Sequence, residues 1–264
     1  MKHVIDNGSV GSSSLQPTWA GGYVLVDPAI HYFSPDRRST SQNGLHLSFK
    51  DGVPIIPDHS PSRSISLSAK RAIDVVLTLA GLLVLWPFVL GIILAIKLTS
   101  RGPVLFIQKR VGAYGQEFDL YKFRSMYWHQ CDTTGVTHTI DNDPRVTPLG
   151  RFLRRTSLDE LPQLINVLRG DMSLVGPRPH VANMRAGNEL YEEVVPYYGL
   201  RHAMRPGITG WAQVNGIRGE VHTTGNAKAR IDHDLAYIQN FSVTLDVRIL
   251  ASTILAEFLT GTGN

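Results

Sequence analysis

Val75-Val76-Leu77-Thr78-Leu79-Ala80-Gly81-Leu82-Leu83-Val84-Leu85-Trp86-Pro87-Phe88-Val89-Leu90-Gly91-Ile92-Ile93-Leu94-Ala95-Ile96 runs for 22 residues without a charge. As an α-helix it would be about 33 Å long, and a membrane-crossing helix needs about 20 such residues. Pro87 stands near the middle, after Trp86. A proline there removes one backbone hydrogen bond and its ring presses on the preceding turn, so a kink is predicted at Trp86-Pro87. Lys70 and Arg71 precede the run, and Lys97, Arg101, Lys109 and Arg110 follow it. Basic flanks favour the cytoplasmic side of a membrane. Basic residues at both ends suit a re-entrant hairpin over 69–101 that enters and leaves one face. They suit equally a plain span oriented by its stronger C-terminal charge, and the residues alone do not choose.

The chain around this run has 264 residues, 43% of them hydrophobic and only 18% charged. A soluble domain carries about 25% charged residues, so part of this surface is expected to face something other than water. The single cysteine, Cys131, excludes an internal disulfide framework and any Cys-rich zinc or iron–sulfur site. A net charge of +4 favours acidic partners such as phosphates, anionic lipid or nucleic acid. The opening residues Met1–Asp6 have no apolar run behind them, so no secretory signal peptide is predicted.

Residues 1–68 hold thirteen Ser, six Gly and six Pro, a composition that predicts a polar, mostly disordered extension. Within it, Tyr23–Val26 and Val53–Ile56 are candidate minor strands. From Gly102 the pattern becomes that of a compact domain, 102–264, whose predicted class is α+β and mainly helical, with amphipathic helices at the membrane interface. Val104–Ile107 and the alternating Phe118–Phe123 read as two paired strands. Asp141–Pro148 reads as a polar loop. Leu149–Arg155, Glu160–Leu168 closed by Gly170, Gly187–Tyr198 and Leu245–Leu259 read as helices. None of them has the length of a second membrane span.

Candidate chemistry centres on Arg151-Phe152-Leu153-Arg154-Arg155-Thr156-Ser157-Leu158-Asp159-Glu160-Leu161-Pro162-Gln163. Pro162 fits a first helical turn, where no N–H is required. Asp159 and Glu160 then sit beside a helix N-terminus, where negative charge is favoured. By spacing alone, capping accounts for them: Asp159 as N-cap, or Ser157 and Glu160 as a capping box. The alternative is that a carboxylate meets a metal-bound phosphate here, with neighbouring arginines on the phosphate oxygens. Arg178, between Pro177 and Pro179, has little backbone freedom and suits the same task, or is an exposed arginine on a rigid turn. Arg205-Pro206-Gly207-Ile208-Thr209-Gly210-Trp211 allows close backbone approach to a ligand, or is a turn entering a strand. The histidines, among them His129, His138, His180, His202, His222 and His233, show no metal-ligand spacing. The basic stretches contain no recognised nucleic-acid module, so no nucleic-acid partner is predicted.

Taken in order, nine segments resemble one family. They are Lys70-Arg71-x-x-Asp74, the proline-broken apolar helix, Gly102–Phe106, Gln108–Gly112, Tyr121–Met126, Ser157–Gln163, Gly170–Ser173, Val175–Pro179 and Arg205–Trp211. The family is the bacterial sugar transferases, monotopic polyprenyl-phosphate phosphoglycosyl transferases, and the resemblance runs from Ala69 to Leu259. It implies transfer of a sugar 1-phosphate from a UDP-sugar to polyprenyl (undecaprenyl) phosphate. UMP is released, and an exopolysaccharide or other membrane-linked glycan is begun. It further implies Asp159 as nucleophile on phosphorus, Glu160 as ligand of Mg²⁺, and Arg154, Arg178 and Arg205 at substrate phosphates. It places the enzyme at the bacterial inner membrane, with a re-entrant helix and a catalytic domain on the cytoplasmic face. The family helix often breaks at Ser-Pro; Trp86-Pro87 keeps the proline and lacks the hydroxyl. A homo-oligomer is left open. Two rivals remain: a glycosyltransferase that moves the sugar without its phosphate, and a non-catalytic membrane scaffold of glycan assembly.

Overall fold

The computed structural model describes residues 18–20, 23–25, 40–42, 44–50, 53–57, 60–132, 143–217 and 224–260. Six short strands come first, in three antiparallel pairs: β1 (Thr18–Ala20) with β2 (Tyr23–Leu25), β3 (Thr40–Gln42) with β4 (Leu45–Leu47), and β5 (Phe49–Lys50) with β6 (Val53–Pro54). Then α1 runs unbroken from Pro61 to Thr99. The hairpin β7 (Leu105–Val111) and β8 (Glu117–Phe123) follows, in the register Leu105↔Phe123 to Val111↔Glu117. Next are α2 (Pro148–Arg155), a 3-10 turn Leu158–Glu160, α3 (Gln163–Arg169) and β9 (Ser173–Val175). A small hairpin of β10 (Arg185–Ala186) and β11 (Glu189–Leu190) leads into α4 (Tyr191–Val194) and a 3-10 segment, Tyr198–Ala203. The chain ends with β12 (Gly207–Thr209), parallel to β9, then α5 (Trp211–Val214), α6 (Thr224–Asn240) and α7 (Val243–Thr260).

α1 begins earlier than its composition suggests. Ser60 accepts a hydrogen bond from the Arg63 N–H at 3.2 Å, and Pro61 fills the first turn, where its missing N–H costs nothing. With 39 residues the helix is about 58 Å long. Its most apolar window has a mean hydropathy of 2.7 and is only 11% buried, so by length and composition it is apolar enough to cross a membrane. It continues past Trp86-Pro87 as one helix and does not stop there. The buried residues of α1 fall in two stretches, Lys70–Thr78 and Ile92–Ile96. Lys70, Asp74 and Thr78, four residues apart, face the domain, as do Ile92 and Ile96 further on, whereas 79–91 contains no buried residue.

The larger core surrounds α6, with Ile231, Leu235, Tyr237 and Ile238 essentially inaccessible. Part of the predicted disordered extension belongs to this core, which corrects that expectation over 44–50 and 53–57, as α1 corrects it over 61–68. Leu47 is fully buried, and Leu45, Phe49, Val53 and Ile56 pack around it. Gln239 on α6 grips this segment through its side-chain amide: Oε1 accepts from the Ser48 N–H at 2.8 Å. Its Nε2 donates to the Ser48 and Ile55 carbonyls at 2.9 and 2.7 Å. A second core joins α1 to the rest: Ile92 and Ile96 pack with Phe123 and Leu153, and Leu158 and Leu161 lean on the same cluster.

Two expected helices are corrected as well. Gly187–Tyr198 is helical only over Tyr191–Val194, because Gly187 at φ 65° turns the chain into the β10–β11 hairpin. Glu160–Leu168 divides into the 3-10 turn and α3, with Pro162 just outside α3. The loop over 141–148 is described only from Asp143, and His138 and His222 lie outside the described residues.

Candidate active site

The 3-10 turn that carries Asp159 and Glu160 is pinned from both sides by Leu158 and Leu161, whose side chains reach the cluster beneath the second end of α1. Ser157 enters the turn with φ 53°. Neither capping arrangement is made. Ser157 forms no side-chain cap, and Glu160 turns instead toward β8 and the loop after β9.

Glu160 Oε1 accepts from Lys122 Nζ at 2.8 Å and from Arg178 Nη2 at 2.8 Å, while Oε2 has one long contact, 3.4 Å, to Arg178 Nη1. Burial alone would raise this carboxyl, but the Arg178 and Lys122 charges outweigh it and hold Glu160 well below the carboxylate range. Asp159 is 7% exposed. No described residue donates a hydrogen bond to it, and burial pushes its pKa up to about 6, with Lys122 opposing and Glu160 adding to the shift. Adjacent carboxyls are thus driven apart, one ionised at all working pH values and one titrating near neutrality.

The cations around the pair are held in place. Arg154 Nε donates to Ser125 Oγ at 2.8 Å, and its charge acts on Asp159. The Pro177-Arg178-Pro179 loop is braced from behind. Arg201, 2% exposed, donates to the Arg178 carbonyl at 2.7 Å while paired with Asp234 at 2.6 Å. The backbone crosses itself tightly under the loop, where a Cβ on Gly207 would lie 2.1 Å from the Gly176 nitrogen. Asn166 fastens α3 to β8: it accepts from the Tyr121 N–H at 3.1 Å and donates to the Asp119 carbonyl at 2.7 Å.

The structure therefore gathers Asp159, Glu160, Arg154 and Arg178. Arg205 is the exception. Its Nε donates to the Gly170 carbonyl at 2.9 Å, at the C-terminal end of α3, whereas the carboxylates stand before the N-terminal end. There it neutralises the negative end of a helix, as Arg71 does through the Val167 and Leu168 carbonyls. Lys122 is the functional residue that sequence reasoning passed over, although a signal existed. Strand alternation sets Phe118, Leu120 and Lys122 on one face, and the first two are buried. A lysine on an inward face requires a buried anion, and Glu160 is that anion.

For Mg²⁺ the donor set is narrow. Among the described residues no group of three His, Cys, Asp or Glu is clustered for a metal. Mg²⁺ is commonly held by one or two carboxylates, the remainder being water and substrate phosphate. Glu160 Oε2, with its single long contact, and the unbonded Asp159 carboxyl fit that pattern.

A buried carboxyl pair among a lysine and arginines, on a domain joined to one long apolar helix, is an arrangement suited to handling phosphate charge near a membrane. The chain belongs to the bacterial sugar transferase family, whose sequence profile matches residues 65–260. It is 54% identical over 197 residues to an exopolysaccharide production protein, PSS, of Rhizobium leguminosarum bv. phaseoli, covering 75% of this chain and 98% of the relative. It is 48% identical over 220 residues to the UDP-glucose:undecaprenyl-phosphate glucose-1-phosphate transferase of Escherichia coli (strain K12), covering 82% of this chain and 47% of that protein. It is 51% identical over 188 residues to the undecaprenyl-phosphate glucose phosphotransferase of Komagataeibacter xylinus, covering 71% of this chain and 35% of that one. The chain thus spans nearly all of the first relative and less than half of the other two.

Proposed function

We propose that this chain transfers a sugar 1-phosphate from a UDP-sugar to polyprenyl phosphate in two steps through Asp159. The observation that carries the reading is the contrast within the pair. Asp159 is buried, unbonded and titrates near pH 6, while its neighbour is clamped by Lys122 and Arg178. A carboxylate without hydrogen bonds keeps its lone pairs for attack. An Asp159 oxygen bonds to the β-phosphorus as the bond from that phosphorus to the bridging oxygen breaks, and UMP leaves with the bridging oxygen. A phosphate oxygen of the lipid then bonds to the same phosphorus, and the Asp159 carboxylate is released. Arg154 and Arg178 would meet the phosphate charge, with Glu160 fixing the Arg178 fork. Glu160 Oε2 would hold Mg²⁺, which would supply charge neutralisation at the phosphates.

The membrane reading follows from burial. Both ends of α1 pack on the same domain while 79–91 stands clear of it. A helix tethered at both ends to one water-soluble body dips into one leaflet and returns more readily than it crosses. This supports a re-entrant membrane helix whose bend at Pro87 would form in the bilayer, since α1 is continuous through Trp86-Pro87 in the structure. A re-entrant helix would bring the carboxyl pair, which is tied to Ile92 and Ile96 through Leu158 and Leu161, to the depth of a lipid phosphate. Exposed Lys97 and Arg101 favour the cytoplasmic face of the inner membrane.

The test is UMP release from undecaprenyl phosphate and a panel of UDP-sugars, beginning with UDP-glucose because two relatives carry that sugar in their names. Asp159→Asn is expected to abolish release and to trap no phosphosugar adduct. Its fold should survive. A carboxyl whose folded pKa lies above its unfolded value costs stability above pH 6, and none below the unfolded value. Asparagine should therefore raise stability at pH 8 by on the order of 1–3 kcal/mol, a gain lost as pH falls toward 4. UDP as product, or an active Asp159→Asn, would sink the reading.

A further inference from the structure

The β7–β8 hairpin presents more to this site than Lys122. In an antiparallel pair, cross-strand partners share a face. Register places Phe106 opposite Lys122, Gln108 opposite Leu120 and Arg110 opposite Phe118. Gln108 and Arg110 therefore lie on the inward face with Lys122, while Lys109 and Asp119 pair on the outer face at 2.9 Å. The end of β7 is stitched to the Pro-Arg-Pro loop, since the Val111 N–H donates to the His180 carbonyl at 2.9 Å.

The Arg110 guanidinium has only neutral partners. Nη2 donates to Gln108 Oε1 and Nη1 to the Pro179 carbonyl at 3.3 Å. Its Nε is buried without a partner, and among the described residues it forms no ion pair. Burial, with the neighbouring Arg178 charge, brings its pKa down to about 10, and Glu160 only partly offsets this. The nearby Glu160 carboxylate is already engaged by Lys122 and Arg178 and makes no bond to Arg110. An arginine brought inward without an anion of its own is costly, because a buried charge requires pairing. Such an arrangement is sustained where an anion arrives from outside the chain.

We infer that Arg110 is a third phosphate-binding arginine of this site, meeting the diphosphate of the nucleotide-sugar beside Arg178, and that Gln108 sets its guanidinium in position. The inference rests on the reading that the site takes a UDP-sugar. It names a residue that capping, packing and the dyad leave unexplained. The partner is a diphosphate rather than a monoester, because the unpaired Arg110 guanidinium, standing beside the Arg178 that Glu160 already holds, matches a ligand with two adjacent phosphate charges.

The test uses the full chain in detergent, with UDP and uridine as probes and binding measured by calorimetry or ligand-observed NMR. Arg110→Gln and Arg110→Lys should each weaken UDP binding tenfold or more while uridine binding stays within twofold. Lysine keeps the charge and loses the fork, so its loss marks bidentate contact. Gln108→Leu should weaken UDP binding less than Arg110→Gln, and guanidinium ion should partly restore UMP release to Arg110→Ala. Unchanged UDP affinity in the folded variants overturns the proposal. Equal loss of UDP and uridine also overturns it, because it assigns Arg110 to bracing the Pro179 loop. Failure of the wild-type chain to release UMP is a separate result and overturns the reading beneath.

Discussion

Asp159 and Glu160 share a peptide bond and differ in what surrounds them. Glu160 faces two cations at 2.8 Å, whereas Asp159 has burial and no donor. The difference gives a direction to the pH profile. If the Asp159 carboxylate attacks, kcat/KM for UMP release should fall tenfold per unit below about pH 6 and level off above it. Glu160 stays charged throughout. Lys122 gives the largest opposing charge on Asp159, so Lys122→Met should move the acid limb to higher pH. A profile measured from pH 5 to 8 on both proteins checks this, and a limb that stays in place would remove Lys122 from the site's electrostatics. The role of the pair was divided in the sequence between capping and chemistry. Spacing could not choose, because Ser157 enters the turn at φ 53° without a side-chain cap, while Leu158 and Leu161 pack on a cluster formed by residues distant in sequence.

At the scale of elements, α1 has its inward positions at Lys70, Asp74 and Thr78 and again at Ile92 and Ile96. Lys70 pairs with Asp246 of α7 at 2.6 Å, and Asp74 accepts from Ser173 Oγ at 2.6 Å and from the Leu174 N–H at 3.1 Å. Such buried charge pairs fix how the helix leaves the domain. With Cys131 replaced by serine, single cysteines at Ser64 and Arg101 should label from the same side in intact spheroplasts or inverted vesicles. Pro87→Leu restores a hydrogen bond and should shift a fraction of molecules to opposite-side labelling. The stretches 44–50 and 53–57 bear on a different element, α6. The alternation Leu45, Leu47, Phe49 was a strand signal hidden in a Ser-, Gly- and Pro-rich stretch. Leu47→Ala should cost about 2–5 kcal/mol, read as a lowered unfolding midpoint.

Across the whole molecule, the site is assembled from the β7–β8 hairpin, α2, the 3-10 turn and the Pro-Arg-Pro loop. The packing beneath them leaves no room at the β9–β12 crossing. A Cβ on Gly207 would meet the Gly176 nitrogen at 2.1 Å and the Thr209 oxygen at 2.4 Å, both backbone. Gly207→Ala should therefore lower stability by more than about 2 kcal/mol and reduce UMP release through the displaced Arg178 loop. Gly225, in α6 with nothing within 4 Å of its Cβ position, is the control. Gly225→Ala should be neutral or gain up to about 1 kcal/mol from helix propensity. Paired melting curves decide whether close approach, and not glycine as such, is what the crossing needs.

The sequence alone determined the apolar helix, because its length and lack of charge leave a 22-residue run few other uses. It determined the β7–β8 pairing by alternation, and it placed Asp159, Glu160 and Arg178 in ordered segments that resemble one family, a resemblance that also implied Arg154. Tertiary structure decided what depends on residues far apart in the chain. Lys122 and Arg178 meet Glu160 from 38 and 18 positions away, and Gln239 grips Ser48 across 191. Arg205 went to the far end of α3 because the Gly170 carbonyl, not the dyad, lies within its reach. Local pattern reports periodicity and charge, whereas which ion meets which is set by chain crossings that no window of sequence contains.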